Sequence, residues 1–239
     1  MRYLYIFIFL TACSHSKPEY TAQEIVNKSI YNAGVHKIKN STVTFKFRDK
    51  NYKAVRDNGN FKLIRSYDSI KDILTNTGFE RIVNKKRIIL SDSLAKNYAN
   101  SVNSVHYFSV LPYGLNDKAV KKRLLKPSTI KGKEYYKIEI SFSEDGGGED
   151  FEDVFIYWID KENFLIDYLA YSYHTNGGGK RFRVLKEQCV KNGVRFVDYH
   201  NYKPNNKDIL LIDLDRAFEN NELTKVSEII LKNIEVEIN

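Results

Sequence analysis

Cysteine occurs at only two of the 239 positions, 13 and 189. A disulfide framework is therefore excluded if either residue is used for something else. Proline is scarce as well, with four residues, and no low-complexity tract is present, which argues against wholesale disorder. No apolar run approaches the ~20 residues of a membrane-spanning helix. No segment repeats with a period of about 20–50 residues, so a solenoid or propeller is not expected. The five histidines form no His-x-x-x-His pair. Both the Gly-Lys-Ser/Thr ending of a phosphate loop and the glycine-flanked serine elbow of hydrolases are missing. What the chain has in excess is aromatic residues: 17 Tyr and 14 Phe within a 42% hydrophobic composition. That is ample material for one core and favours strands.

The N-terminus reads Met1-Arg2, then an unbroken apolar run from Tyr3 to Leu10, then Thr11-Ala12-Cys13. A basic residue, a short apolar stretch and small residues in that order form a secretory signal. Leu10-Thr11-Ala12-Cys13 resembles the bacterial lipobox, where cleavage before the cysteine exposes a thiol that receives lipid. The expected organisation is a signal peptide at 1–12, a lipidated tether at 13–20 and a single antiparallel-sheet domain at 21–239. With Cys13 acylated, Cys189 has no partner. It lies in a strand-like run and is expected to be a small buried residue. The formal net charge is +8, spread in clusters such as Lys85-Lys86-Arg87 and Lys121-Lys122-Arg123. For an exported, lipid-tethered chain this charge suits anionic lipid surfaces, and no nucleic-acid partner is expected.

Local patterns give a mainly β, α+β chain. Thr21 and Glu24 form a capping box, followed by Ala22, Ile25, Val26, Ile30 and Ala33 at helical spacing and a stop at Gly34. Val43, Phe45 and Phe47 alternate with polar residues, and Asn58-Gly59 and Asn84-Lys85 mark hairpins. Asp68 is read as the cap of a short helix at 69–76. Leu94, Tyr98, Val102, Val105 and Phe108 predict a helix over 92–110, and Asn116 a second one over 116–125. From 133 onward the chain reads as long strands joined by the triple glycines at 146–148 and 177–179 and by Asn192-Gly193, then a short helix near 213–221 and a final strand near 224–236. The segment Val154–Ile159 is apolar on both faces. Two covered faces mean a sandwich, or a curled sheet with a helix or ligand in its hollow.

Several residue groups are candidates for chemistry. Asp145 to Asp153 holds five carboxylates around three glycines. It reads first as a solvated acidic turn and second as a hard-cation site. Gly177-Gly178-Gly179-Lys180-Arg181-Phe182-Arg183 offers cations to a head group or, as the leading reading, to those same acids. His15, His36, His106, His174 and His200 lie far apart, so no metal or cofactor is expected. Ser101, Ser104 and Ser109 form no catalytic triad with them. The aromatic wealth, Tyr135, Tyr136, Tyr157, Trp158, Tyr168, Tyr171, Tyr173, Tyr199 and Tyr202, suits either a cavity with a wet mouth or plain packing. The expected ligand-binding set is Tyr107, Tyr157, Trp158, Tyr171, Arg181, Arg183, Tyr199 and His200.

The stretches Ser101–Phe108, Leu111–Asn116, Gly146–Trp158, Leu169–Tyr173, Gly177–Arg183 and Arg195–Pro204 resemble a family of uncharacterised lipoproteins of the Bacteroidetes kind. The architecture implied is similar to that of periplasmic lipoprotein carriers of the LolA/LolB kind. That is an open half-barrel, a curled antiparallel sheet with the N-terminal helix and the helices at 92–110 and 116–125 packed on its concave face. The resemblance implies binding of acyl chains or another hydrophobic ligand. An aldolase reading has no support, because the strand–helix alternation of a βα barrel is absent.

Three functions follow. The first is a monomeric, non-enzymatic lipoprotein of the outer membrane, bound to it by the lipid on Cys13, that holds a hydrophobic ligand. The second is an enzyme using the 145–153 acids with Arg181, Arg183, Asp198 and His200. The third is a structural scaffold. Replacing Cys13 by Ser is expected to abolish acyl labelling of the chain and to block processing before residue 13. Metabolic labelling with a palmitate analogue and the gel mobility of the product check this.

Overall fold

Two-residue links that tolerate positive φ set the strand spacing. In the computed structural model, which describes residues 20–145, 152–173 and 177–239, β1 (Asn40–Phe47), β2 (Lys50–Asp57), β3 (Asn60–Tyr67), β4 (Ile70–Thr75), β5 (Gly78–Val83) and β6 (Lys86–Ile88) follow one another through two-residue turns. Asn58-Gly59 and Asn84-Lys85 both have positive φ at each position, the mirror-image turn that matches the strand twist. A second meander contains β7 (Val120–Ile130), β8 (Lys133–Phe142), β9 (Phe155–Asp160), β10 (Ile166–Tyr173), β11 (Gly179–Lys191), β12 (Val194–Pro204) and β13 (Leu223–Ile229). The last strand, β14 (Leu231–Ile238), leaves β13 after Ile230 and pairs with β1 of the first sheet. The strand expected at 224–236 is thus two strands in different sheets. Together they make one curl of two seven-stranded antiparallel sheets, ordered β14-β1-β2-β3-β4-β5-β6 and β13-β12-β11-β10-β9-β8-β7. The edges β6 and β7 do not pair with each other, so the barrel stays open.

Helix α1 (Ala22–Asn32) starts at the predicted capping box, with Thr21 accepting from the Glu24 amide. It sets Ile25 and Val26 against Tyr136, Ile138 and Ile159 on the concave face of the second sheet. Gly34, just past its end, sits so close to the Gly193 carbonyl that any Cβ there would overlap it. Helix α2 (Asp92–Ser109) covers the first sheet, with Val102 packed on Ala54 and Leu63. Helix α3 (Leu214–Glu219) lies behind the second sheet, with Leu214 against Trp158 and Phe182. Every residue of β9 is buried, because α1 and α2 cover one face and α3 the other. No described helix is long and apolar enough to cross a membrane.

Three expectations fail, each for a physical reason. Residues 69–76 form β4, not a helix. Asp68 takes a positive φ in a turn rather than a cap, and Asp72 is needed in register between Arg65 and Arg81. Residues 116–125 form no helix: a turn region leads into β7, an edge strand whose Lys121, Lys122 and Arg123 discourage pairing with another chain. Cys189 is exposed, because β11 runs out beyond the covered part of the sheet. Residues 1–19, with the expected signal, Cys13 and most of the tether, lie outside the described residues.

One ionic ladder ties α2 to the sheet. Asp72 is fully buried. Its Oδ2 accepts from Arg65 Nε at 2.9 Å and Nη2 at 2.7 Å, and its Oδ1 from Arg81 Nε at 2.6 Å. Arg65 Nη1 donates onward to Ser101 Oγ at 2.6 Å, and the Arg81 guanidinium lies 3.4 Å from the centre of the Tyr98 ring. One turn further along α2, His106 is buried against Phe45 and Tyr52 and reaches the Ile64 carbonyl at 3.2 Å. Burial above all, then the positive charge of Arg56 and Arg65, lowers its pKa to about 3.

Two outcomes follow. Asp72→Ala is expected to cost about 3–5 kcal/mol, since it leaves two guanidiniums buried without their carboxylate. Urea unfolding of the variant measures it. His106 stays neutral in the folded chain, while the unfolded chain protonates it below about pH 6.5. Stability is therefore unaffected above that pH and falls by about 1.4 kcal/mol per unit as pH drops toward 3. Unfolding curves between pH 7.5 and 4.5 should show a shallower slope for His106→Gln by that amount.

Candidate functional site

Alternation along β11 decides which way its cations face. Phe182 and Val184 pack under α3, so Arg181 and Arg183 project into the hollow of the curl. On the neighbouring strands the same alternation sends Tyr171, Phe155 and Tyr199 into that hollow. The last turn of α2 adds Tyr107 and Phe108 from above. Between α2 and the second sheet remains an open cavity of about 840 Å³. That lies within the range of about 300–1,000 Å³ usual for small-ligand sites.

The walls divide by chemistry. Val105 of α2, Val197, Ile229, Leu231 and Phe47 form an apolar side where the two sheets join. Asn97, Asn100, Ser101, Asn103 and Ser104 of α2 form a polar side, with Asp153, Tyr173 and Arg181. Arg183 belongs to neither. It is 7% exposed, its guanidinium carbon lies 3.9 Å from the Phe108 ring centre, and its Nη2 donates to the Tyr171 hydroxyl at 3.1 Å. Its buried Nε has no hydrogen-bond partner among the described residues.

The phenols behind this wall are held neutral. Tyr107 and Tyr157 share a hydrogen bond of 2.9 Å, and burial drives both well above the ordinary tyrosine range. Tyr199 is pushed up to about 12 by burial, which outweighs the opposing pull of Arg195 and Arg183. None of the three supplies an anion at physiological pH, so they act as packing surface and hydrogen-bonding groups.

Of the expected ligand-binding set, the fold brings together Tyr107, Tyr171, Arg181, Arg183 and Tyr199 at the cavity wall. Tyr157 stands one layer behind, against Tyr107. Trp158 points the opposite way, with its indole N–H on Ser128 Oγ and Asp215 Oδ2, each at 3.1 Å. His200 also faces away, with its Nδ1 3.3 Å from Glu228 Oε1. Asp198 alternates with Tyr199 and accepts from the Leu231 amide at 2.9 Å, off the cavity. The residues proposed for an enzyme therefore divide between two faces of the sheet. The acidic run is described only at Asp145, Glu152 and Asp153; its centre, and His174, lie outside the described residues. Asp153 shares the cavity with the two arginines. Among the described residues no three or more His, Cys, Asp and Glu converge on a metal-sized site. The polar face of α2 was not foreseen. Its signal was Asn97, Asn100, Ser101 and Ser104 at spacings of one, three and four beside the apolar stripe.

The whole fold has a solved counterpart. A DUF1329 family protein from Desulfovibrio piger superposes with a TM-score of 0.52 at 9% identity, over 92% of this chain and 94% of that one. A LolA superfamily protein from Nitrosomonas europaea gives 0.47 at 12% identity, over 91% and 92%. At such identities only the architecture is shared. No curated protein matches the sequence. A family model does, over residues 1–230, and the chain belongs to that family, DUF6503, a family of unknown function.

Proposed function

We propose that this chain is a lipid-anchored protein of the cell envelope that binds a hydrophobic ligand in the cleft between α2 and the second sheet. The cavity carries the reading. It has about 840 Å³ of space walled by Val105, Val197, Ile229, Leu231 and a ring of aromatics, in a protein that packs its other apolar faces under helices. A chain selected only as a scaffold gains nothing from an unfilled apolar hollow, which forfeits packing contacts. The lipobox at Cys13 supports the envelope address, and the outer membrane is the leading destination. An enzyme is the weaker reading, because Arg181 and Arg183 stand on one face of the sheet and Asp198 and His200 on the other.

The full chain is expected to co-purify with a hydrophobic molecule seen by native mass spectrometry and recovered by solvent extraction. Ile229→Trp, which places an indole in the apolar half of the cleft, should reduce the bound fraction about tenfold, the equivalent of about 1.4 kcal/mol, with the melting temperature unchanged. A wild-type chain that emerges empty, or one that loses nothing on this substitution, would refute the reading.

A further inference from the structure

We infer that the cleft takes a single-chain amphiphile with an anionic head, a carboxylate or a phosphate, and that Arg183 is the group that holds the head. This rests on the hydrophobic-cleft reading and gives it a ligand class.

The other buried guanidiniums of this protein are partnered or lie off the cavity. Arg65 and Arg81 share Asp72. Arg195 is held by Gln188 Oε1 at 2.6 Å, the Ile166 carbonyl at 2.9 Å and, more distantly, Asp167. Arg56 also has an unpartnered nitrogen, but it packs on the Tyr113 ring and does not line the cavity. Arg183 is the buried arginine that does line it. More than nine-tenths of it is covered, yet among the described residues only the Tyr171 hydroxyl accepts from it, and its Nε finds no partner. A guanidinium has five N–H donors in a fixed fork. Burying one with so few acceptors costs several kcal/mol unless an anion enters with it. The Phe108 ring face 3.9 Å away offsets part of that cost and fixes the plane of the fork. A carboxylate or phosphate arriving through the cavity finds in Arg183 a guanidinium that can give it charge-assisted hydrogen bonds. Arg181, two residues earlier on the same face, adds positive potential nearer the rim, and Asp153 on the same wall opposes it.

The rest of the cleft sets the tail. Val197, Ile229, Leu231 and Phe47 continue away from Arg183 toward the junction of the sheets and offer only apolar surface. At roughly 30 Å³ per non-hydrogen atom, taking the share of a liquid water as the measure, the 840 Å³ cavity holds a head and one long chain.

The test uses full-length chain in the membranes of expressing cells and three diazirine-bearing sixteen-carbon probes: the fatty acid, the alkyl phosphate and the alcohol. Ultraviolet labelling of the chain is read on a gel. The wild type should label with at least one anionic probe about tenfold or more above the alcohol, the scale of one charged hydrogen-bonded contact. Which anionic probe wins identifies the head. Arg183→Met should remove that preference and keep the alcohol signal. Arg183→Lys keeps the charge without the fork, so it should retain an intermediate preference; it also stands in should the Met variant fail to accumulate. Equal labelling by acid, phosphate and alcohol overturns the anionic head but leaves the hydrophobic cleft standing. An anionic preference that survives in both variants overturns the assignment to Arg183. No labelling by any probe overturns this inference and the cleft reading together.

Discussion

The hollow of this protein exists because the middle of α2 is tied to one sheet and only its last turn to the other. The Arg65–Asp72–Arg81 ladder runs across three adjacent strands, and two turns of α2 rest on it through Ser101 and Tyr98. Apolar packing alone would let the helix slide until it filled the curl, since hydrophobic contact is non-directional. A buried carboxylate between two guanidiniums is directional and strongly resists being broken. It pins the helix over the first sheet and leaves its Asn and Ser face looking across at the second. The other end of α2 touches that sheet only through its last turn, where Tyr107 meets Tyr157 and Phe108 meets Tyr171. The cavity is the space between those two attachments.

Much of this architecture was readable in the residues because strand alternation is a local signal. The Asn-Gly turns, the paired strands around them, the capping box of α1 and the run of α2 all appear where the pattern puts them. The failures share a cause. At 69–76, Ile70, Ile73 and Leu74 mimic helical spacing, and only the partners Arg65 and Arg81, distant in sequence, show that Asp72 belongs in a sheet. At 116–125 a plausible cap precedes an edge strand whose single neighbour, β8, lies beyond the next turn. In both cases long-range pairing overrides local preference.

The site was legible in half. Alternation told that Arg181 and Arg183 share a face, and the aromatic excess pointed to Tyr171 and Tyr199. It did not tell which face of β9 is the hollow, so Trp158 and Tyr157 looked equally eligible. That choice is made by α3, which brings Asp215 to the Trp158 indole and to Lys137 Nζ, at 3.1 and 2.8 Å. These polar contacts commit the indole to the convex side. His200 stands on the convex side too, beside Glu228 of β13.

This division explains why the aromatic load is so large without being redundant. A curled sheet with both faces covered needs two cores, and here they are chemically distinct. Behind the sheet, Tyr135, Trp158, Tyr168, Phe182 and Phe218 form a filled layer whose polar atoms are turned toward partners such as Asp167 and Asp215. Inside the curl, the aromatics line the wall without closing the space, and the one deeply buried cation among them lacks a full set of acceptors. The convex side is filled, as interiors normally are, although one Asp215 carboxylate oxygen there has no partner among the described residues. On the concave side an unfilled space and an unpartnered donor meet at the same place, beside Arg183. A void alone is consistent with loose packing, and an unpaired donor alone with a missing water. Their coincidence is what a site looks like before its ligand arrives.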